Sequence, residues 1–336
     1  MRALLCARPG ELTLVERAQP EIRPVGALVR IKRAGVCGTD LHIFEGTQPY
    51  FQYPRIIGHE LAGEIEAVGE GSRWRPGQRV AIIPYLPCGK CVACRRGKTN
   101  CCQRLEVLGV HCDGGMADWV WVPDDNLADA EGLSLDEAAM AEFLAIGAHA
   151  ARRGDVAAGQ RVAIVGAGPI GAACAVFAKA RGAEITMFDR RTDRLRFSTE
   201  ALGADHAIEA GDGARNEAAA LTGGEFFDCV FDCTGSAAAM NAGFSLVAHG
   251  GSYVLVSIVL GDITFADPEF HKRETTLLSS RNATRTDFDE VLAMLRSGRV
   301  PTARLNTHRA SLEDAPKLFA HWLQPESGVV KALIEI

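Results

Sequence analysis

Residues 161–182 read RVAIVGAGPIGAACAVFAKARG, and this stretch decides the fold of the second half of the chain. A short apolar run leads into a glycine-rich turn, and an alanine-rich segment of helical character follows. The turn carries Gly166, Gly168 and Gly171 in the spacing G-x-G-x-x-G. A strand, a turn of this spacing and a helix together form the pyrophosphate-binding unit of dinucleotide-binding folds. The sequence therefore predicts a dinucleotide site at this turn.

Each glycine of the turn has its own physical role. Gly166 permits the tight turn, Gly168 lets the backbone approach the pyrophosphate, and Gly171 lets helix and strand pack closely. Pro169 and Ile170 complete the segment and are included among the predicted cofactor-binding residues. The phosphates would lie at the helix N-terminus, where free N–H groups and the helix dipole favour an anion.

An acidic residue is expected about 20 residues further along, at the end of the second strand. Asp189, which follows EITMF, meets this expectation. Its carboxylate would accept hydrogen bonds from the adenosine ribose and would repel a 2′-phosphate, so we predict NAD as the cofactor. Arg190, Arg191 and Arg194 follow closely. They keep NADP open as the less favoured alternative, and Arg190 and Arg194 are predicted to be cofactor-binding.

Beyond the turn, strand-like and helix-like segments alternate. EITMFD, FFDCVFD and SYVLVSI read as strands, whereas DRLRFSTEALG and AAAMNAGFSLVAHGG read as helices. Such alternation predicts an α/β domain with a doubly wound parallel sheet. We place this nucleotide-binding domain at residues 147–285. The remaining residues, 286–336, contain two helix-like segments and a closing strand, VVKALIEI, and we expect them to return to the first domain.

The first domain, which we place at residues 1–146, is rich in short β-like runs. ALVRIKRAGV, ELAGEIEAVG, RVAIIPY and MADWVWVP are bounded by Gly, Pro and Asp, as strands usually are. These runs predict an all-β or barrel-like unit. SLDEAAMAEFLAIGAHAARRG, residues 134–154, then reads as one helix that begins with a capping box formed by Ser134 and Glu137. It would join the two domains.

The loop PCGKCVACRRGKTNCC, residues 87–102, predicts a closed metal site. Cys88, Cys91 and Cys94 are each separated by two residues, and Cys102 follows after seven. Four thiolates at such spacing can reach one tetrahedral ion, and zinc with four sulfur ligands is usually structural. The neighbouring Cys101 is a spare thiol in this interpretation.

A second set of possible ligands lies outside that loop. Cys37 occurs in CGTDLH, His59 and Glu60 occur in GHE, and Glu142 lies on the predicted joining helix. Zinc accepts sulfur, nitrogen and oxygen donors together. Cys37 and His59 are the predicted ligands, and either Glu60 or Glu142 could be the third while the other orients ligands or water. We therefore expect two zinc ions per chain, one structural and one catalytic.

An open zinc site would explain why a metal site and a dinucleotide motif occur in one chain. Zinc with a free coordination position is a Lewis acid that lowers the pKa of a bound alcohol or water. An alcohol that has lost its proton is a far better hydride donor. Thr39 and His42 could form a hydroxyl-to-imidazole path that carries the proton to solvent.

Composition limits the partners. The chain has 336 residues, a formal net charge of −6 and no long basic block, so a nucleic-acid partner is not expected. No apolar run reaches the roughly 18 residues of a membrane span, and the first residues lack the apolar core of a signal peptide. Eleven cysteines without a secretion signal indicate a reducing compartment, so we expect a cytoplasmic protein.

The motifs CGTDLH, GHELAGEIEAVG, the four-cysteine loop, VGAGPIG and HGGSYVLVSI occur in one order along essentially the whole chain. In this combination the chain resembles the zinc-dependent medium-chain dehydrogenases. The resemblance implies a GroES-like catalytic domain interrupted by a Rossmann domain, with the active site in the cleft between them. It also implies hydride transfer between a zinc-bound alcohol or ketone and NAD(P), in dimers or tetramers.

Within that family, the ligand pattern resembles the polyol and sugar branch. The first two ligands match Cys37 and His59, and Glu142 stands where simple alcohol dehydrogenases have cysteine. The usual Glu-Pro step of the branch is Glu142-Phe143 here. DPEFHKRETTLLSSRNAT and GVHCDGGMADW resemble the bacterial L-galactonate and starvation-sensing dehydrogenases, and Arg281 matches a substrate-side arginine that could pair with a sugar-acid carboxylate.

We therefore expect a zinc- and NAD-dependent dehydrogenase that acts on a polyol or sugar acid. Two alternatives remain open from the sequence. One is a dehydrogenase for another secondary alcohol, such as threonine or a butanediol. The other is a non-catalytic sensor that binds NAD through the same fold.

Overall fold

The structure is a computed structural model that describes residues 1–336. The chain forms two units. The first contains Met1–Phe143 and Thr284–Ile336, and the second contains Leu144–Ala283. The sequence placed these borders at residues 146 and 285. Each unit is described separately below.

The strands of both units, in chain order, are β1 (Arg2–Arg8), β2 (Glu11–Glu16), β3 (Gly26–Val36), β4 (Arg55–Ile56), β5 (Glu60–Val68), β6 (Arg79–Ile82), β7 (Tyr85–Leu86), β8 (Glu106–Val107), β9 (Trp119–Pro123), β10 (Leu127–Asp129), β11 (Arg161–Val165), β12 (Glu184–Asp189), β13 (His206–Glu209), β14 (Phe227–Asp232), β15 (Val247–Leu255), β16 (Thr276–Ser279), β17 (Asn306–Ser311) and β18 (Lys331–Glu335).

The helices are α1 (Gly38–Glu45), α2 (Val92–Arg95), α3 (Leu135–Ala139), α4 (Ala141–Arg153), α5 (Pro169–Ala180), α6 (Thr192–Leu202), α7 (Ala214–Leu221), α8 (Ala237–Gly243), α9 (Asp267–Lys272), α10 (Arg285–Arg296), α11 (Thr302–Leu305) and α12 (Ala315–Trp322). None of them has both the length and the apolar composition that crossing a membrane requires.

The first unit is built around β3. A sheet of seven strands has the order β10-β6-β5-β3-β18-β17, and β9 also pairs with β3. Smaller sheets join β2, β1 and β4, and β7 with β8. Most residues of β3 are buried, Val29 and Ile31 among them, which fits its central place in the sheet. Because β18 pairs antiparallel with β3, the C-terminal segment completes this sheet.

The second unit is a parallel sheet with the order β13-β12-β11-β14-β15-β16. Every neighbouring pair is parallel. The strand order reverses at β11, and ligands of such sheets bind at the carboxyl ends of strands near this reversal. Most residues of α5 are buried, which explains why the segment after the glycine turn is alanine-rich and lacks a polar face.

The structure corrects several predicted elements. The helix expected over residues 134–154 is two helices, α3 and α4, with Met140 between them, although the Ser134–Glu137 capping box is present. The helix expected over AAAMNAGFSLVAHGG is too long, because β15 begins at Val247 and pairs there with β14. The segment after Cys37 is the helix α1. The strands β16 and β17 and the helix α9 have no counterpart in the sequence interpretation.

Candidate active site and metal centres

The four-cysteine loop connects β7 to β8 and brings its predicted ligands together. The sulfur atoms of Cys88, Cys91, Cys94 and Cys102 all lie within 4.8 Å of one another. Backbone N–H groups point at these sulfurs: the amide of Cys88 donates to Cys102 Sγ at 3.2 Å, and the amide of Arg104 donates to the same atom at 3.3 Å. The thiolate is the form of cysteine that binds metal.

The electrostatics of the loop are those of an ion-binding site. Hydrogen bonds from the Lys90 backbone and from Cys102 lower the pKa of Cys88 to about 6. Desolvation and hydrogen bonds with Cys91 and Cys102 raise the pKa of Cys94 to about 12. Neighbouring thiols cannot all ionise without a cation to balance them. Cys101 is exposed and lies outside the group.

The second group consists of Cys37, His59 and Glu60, whose ligand atoms also lie within 4.8 Å of one another. Cys37 follows β3 and caps the N-terminus of α1, whereas Glu60 begins β5. The two adjacent strands pair Gly35 with Glu60, which fixes this juxtaposition. A Cβ atom at Gly35 would lie 2.0 Å from Glu60 Oε2, so only glycine leaves room for the carboxylate.

Asp40 lies beside the second group and was not singled out in the sequence analysis. It is fully buried in the first turn of α1 and accepts a hydrogen bond from the amide of Cys37 at 2.9 Å. Its Oδ1 lies 3.7 Å from Nδ1 of His59, which is longer than a hydrogen bond, and neither atom has a hydrogen-bond partner. A carboxylate that faces one ring nitrogen directs the other nitrogen towards a metal. The sequence signal was an acid three residues after Cys37, with His59 still to be placed by the fold.

The acidic groups around His59 create an environment that stabilises positive charge. Burial by itself lowers the pKa of His59, but Asp40 and Cys37 outweigh burial and raise that pKa well above its usual value. A half-buried sulfur donor together with buried nitrogen and oxygen donors fits a zinc ion with an open coordination position.

Glu142 is buried beside this group but is not a member of it. It lies in the first turn of α4, and its Oε1 accepts a hydrogen bond from the hydroxyl of Tyr85. Burial and the nearby Glu60 raise the pKa of Glu142, although His59 acts in the opposite direction. Tyr85, on β7, was not singled out from the sequence as a residue that contacts an acid.

Thr39 and His42 do not form the expected path in this structure. Both lie on α1, where Thr39 is half-buried and His42 is exposed, and no hydrogen bond joins them. Nδ1 of His42 lies 3.3 Å from the hydroxyl of Thr47 instead. Its nearest acid is Glu45, with Oε2 at 3.7 Å.

In the second unit, the glycine turn lies at the carboxyl end of β11. Gly166 has a φ of 99°, which glycine adopts without strain. Gly168 caps the N-terminus of α5, and Pro169 occupies its first turn. Asp189 ends β12, and its Oδ2 accepts a hydrogen bond from the amide of Ala167 at 2.7 Å. The acid and the glycine turn are therefore adjacent, as the motif requires.

The three predicted cationic residues of this unit differ in exposure. Arg190 is exposed, whereas Arg194 is partly buried at the start of α6, and burial lowers its pKa. Arg281 is exposed and follows the carboxyl end of β16.

Known proteins share both units. The family model of the alcohol dehydrogenase GroES-like domain matches residues 23–132, and that of the zinc-binding dehydrogenases matches residues 169–297. L-galactonate-5-dehydrogenase of Escherichia coli K12 is 41% identical over 310 residues, which are 92% of this chain and 91% of that protein. The chain belongs to the zinc-dependent medium-chain dehydrogenases. The resemblance read from the motifs and the fold class, a GroES-like domain with a Rossmann domain, are thereby confirmed.

Solved medium-chain dehydrogenases have the same fold. An alcohol dehydrogenase, rspB, of Escherichia coli CFT073, complexed with NADH, is 30% identical, has a TM-score of 0.94 and covers 100% of this chain and 99% of its own. A zinc-binding dehydrogenase structure from Sinorhizobium meliloti 1021, bound to NADP, is 27% identical, has a TM-score of 0.91 and has the same coverage. The relatives place this medium-chain dehydrogenase in the polyol and sugar-acid branch of oxidoreductases that act on CH–OH groups.

Proposed function

We propose that this dehydrogenase transfers a hydride between a secondary alcohol of a sugar acid or polyol and the nicotinamide of NAD. The observation that carries the proposal is the group of Cys37, His59 and Glu60, in which His59 and Glu60 are buried and Cys37 is half-buried, in a chain that also has a complete dinucleotide turn. A binding module would need no open metal site, and a structural zinc protein would need no dinucleotide turn.

We propose two metal sites with different roles. Cys88, Cys91, Cys94 and Cys102 would hold a structural zinc ion, since four thiolates leave no position for substrate. Cys37 and His59, with Glu60 or Glu142, would hold the catalytic ion. A zinc ion bound there supplies Lewis acidity, which lowers the pKa of an alcohol substrate.

The protein groups around the second site would orient and desolvate the substrate. Asp40 fixes the ring of His59 through the 3.7 Å approach of Oδ1 to Nδ1. Tyr85 donates a hydrogen bond to the carboxylate of Glu142 and so orients it. Because all these side chains are buried, water is largely excluded, and electrostatic interactions with the reacting oxygen are strengthened.

The cofactor preference is proposed from Asp189. Its carboxylate lies beside the glycine turn and would accept hydrogen bonds from the ribose hydroxyls, whereas a 2′-phosphate would meet like charge. Arg190 and Arg194 are the residues that would moderate this preference. The NADH-bound and NADP-bound relatives show that both cofactors occur on this fold.

The substrate class is proposed from the 41% identical L-galactonate-5-dehydrogenase and from Arg281. A guanidinium can pair with a carboxylate through two parallel hydrogen bonds, and a polyol offers no such partner. We therefore favour an aldonate over a neutral polyol, and we place Arg281 at its carboxylate. A homodimer or homotetramer is part of the same proposal.

A substrate panel tests this function. Initial rates of NADH formation are measured with aldonates, their parent polyols, threonine and 2,3-butanediol, using NAD and NADP in parallel. We expect the highest kcat/KM with an aldonate and NAD. The variant Arg281→Gln should raise KM for the aldonate and leave that for the polyol nearly unchanged. Saturable NADH binding without turnover of any alcohol would contradict the proposal.

A further inference from the structure

Lys331 is a fully buried cation that the proposed reaction does not use. It begins β18, and its side chain is 1% exposed. Its ammonium lies 2.6 Å from Oε1 and 2.7 Å from Oε2 of Glu60. Lysine is almost never fully buried unless it is paired, so this position requires an explanation.

The ammonium of Lys331 contacts Glu60 itself and the chain neighbours of Cys37 and Glu142. It contacts Glu60 on β5, and it donates to the carbonyl of Val36, next to Cys37, at 3.2 Å. It also lies 4.4 Å from the centre of the Phe143 ring, on α4 next to Glu142. Phe143 stands where the resemblance expects proline, and only an aromatic ring offers the cation such a face.

The carboxylate of Glu60 lies between Gly35 and Lys331. On one side, Oε2 of Glu60 packs so closely against Gly35 that there is no room for a Cβ atom at that residue. On the other side, Lys331 contacts both carboxylate oxygens. Each oxygen retains a second lone pair, so a carboxylate held in this way can still bind a metal. With both contacts present, a carboxylate oxygen of Glu60 lies within 4.8 Å of Cys37 Sγ and of a ring nitrogen of His59.

We infer that Lys331 is a positioning residue for the catalytic metal site, holding Glu60 in place as its carboxylate ligand. This inference rests on the proposed function, because it concerns the metal of that same site. Ligating carboxylates are commonly hydrogen-bonded in turn, and loss of such a partner lowers metal affinity about 10- to 100-fold.

Whether zinc affinity falls or rises when Lys331 is replaced distinguishes this positioning role from a purely electrostatic one. A cation near a metal ion repels it, so removing the charge alone would strengthen metal binding. A positioning role predicts the opposite, because the released carboxylate leaves the donor group. A purely structural ion pair predicts a lower melting temperature with no change in the coordination of the metal.

The test compares Lys331→Met, Lys331→Arg and Glu60→Gln with the wild type. Lys317→Met is the matched control, since Lys317 is exposed and pairs only with Asp314. Zinc content and the zinc dissociation constant are measured for each purified protein. Cobalt(II) is then exchanged for zinc, and its visible absorption reports the ligand set. Zinc at the four-cysteine loop serves as an internal standard in every variant.

We expect Lys331→Met and Glu60→Gln each to weaken the catalytic zinc at least about tenfold and to change the cobalt spectrum in the same way. Combining them should add little, because both act through one carboxylate. Lys331→Arg, which keeps the charge but moves it, should change the spectrum even if Lys331→Met does not fold.

The inference is overturned if the Lys331 variants keep the wild-type cobalt spectrum and zinc affinity, or if Lys331→Met binds zinc more tightly. It is also overturned if Glu60→Gln leaves the catalytic zinc unaffected. A wild-type protein that binds zinc only at the four-cysteine loop would refute both this inference and the proposed function, so the two failures are distinguishable.

Discussion

Two alanine substitutions in the glycine turn should separate folding from cofactor binding. A Cβ atom at Gly171 would lie 1.8 Å from the carbonyl oxygen of Gly166. Moving this backbone atom to relieve the clash would cost stability. A Cβ atom at Gly168 would meet nothing within 4 Å, and the φ of −75° at that residue suits alanine. The folded protein therefore needs glycine at position 171 but tolerates alanine at position 168.

The expected magnitudes follow from these contacts. Overpacking of a close contact costs about 1–3 kcal/mol, so Gly171→Ala should lower the free energy of unfolding of the second unit by at least that amount. Gly168→Ala should leave stability unchanged but keep the pyrophosphate away from the backbone. Loss of one hydrogen bond to a charged group costs about 1.5–3 kcal/mol, which weakens NADH binding roughly 10- to 100-fold.

Urea unfolding and NADH fluorescence titration measure the two quantities on the same preparations. Gly211→Ala is the control, because Gly211 is exposed in the same unit and a Cβ atom there meets nothing within 4 Å. It should change neither stability nor affinity. If Gly168→Ala bound NADH as tightly as the wild type, or if Gly171→Ala unfolded at the wild-type urea concentration, the assignment of roles within the turn would be wrong.

Three further predictions concern the zinc loop, the first unit's surface and the cofactor. Cys102→Ser should lower zinc content by one ion per chain and lower the melting temperature, as metal analysis and calorimetry would show; unchanged values would exclude the loop as a zinc site. Partial burial raises the pKa of Asp136, but hydrogen bonds from Arg309 and Arg33 outweigh burial and hold that pKa below its usual value. The ionised carboxylate therefore stabilises the fold above pH ~4 and loses this effect as pH falls, so Asp136→Asn should cost about 1 kcal/mol in unfolding experiments at pH ~7 and much less at pH ~3. Asp189→Asn should raise KM for NAD about tenfold or more. It should also reduce the preference for NAD over NADP, measured as the ratio of the two kcat/KM values. An unchanged ratio would show that Asp189 does not select the cofactor.

Local signals allowed the dinucleotide turn to be predicted in detail. A strand, three spaced glycines and a helix are contiguous in the sequence. Each glycine marks a position where the backbone has no room for a side chain, must approach the cofactor closely or needs a conformation that other residues avoid. The four-cysteine loop is similar, because its ligands lie within 15 residues of one another. Both sites can be predicted before the fold is known because the residues of each lie close together in the sequence.

Elements that depend on tertiary pairing were harder to predict. β17 has the sequence NTHRAS, which is too polar to read as a strand, and it forms because it pairs with β18. Residues 247–251, VAHGG, read as the end of a helix, but β15 begins at Val247, which pairs with Phe227 of β14. The break at Met140 has no sequence signal, since good helix formers stand on both sides.

The catalytic group shows the same limit. Cys37 and His59 stand in short motifs, but Asp40 gave no separate signal because only the fold buries it beside His59. Lys331 gave no signal at all. It lies 271 residues from Glu60, and a lone lysine in a strand normally points to solvent. The sequence therefore indicated the candidate ligands but not Asp40 or Lys331, which the fold brings beside them.

The central claim is that a metal ion held by Cys37, His59 and a carboxylate activates an alcohol for hydride transfer to a bound dinucleotide. It is tested most directly by measuring NADH formation from an aldonate with the enzyme before metal removal, after selective removal of the more labile zinc, and after zinc is added back. We predict that turnover disappears with this zinc and returns with it, while the zinc of the four-cysteine loop and the fold persist. Undiminished turnover by metal-free enzyme, or by His59→Ala, would contradict the account.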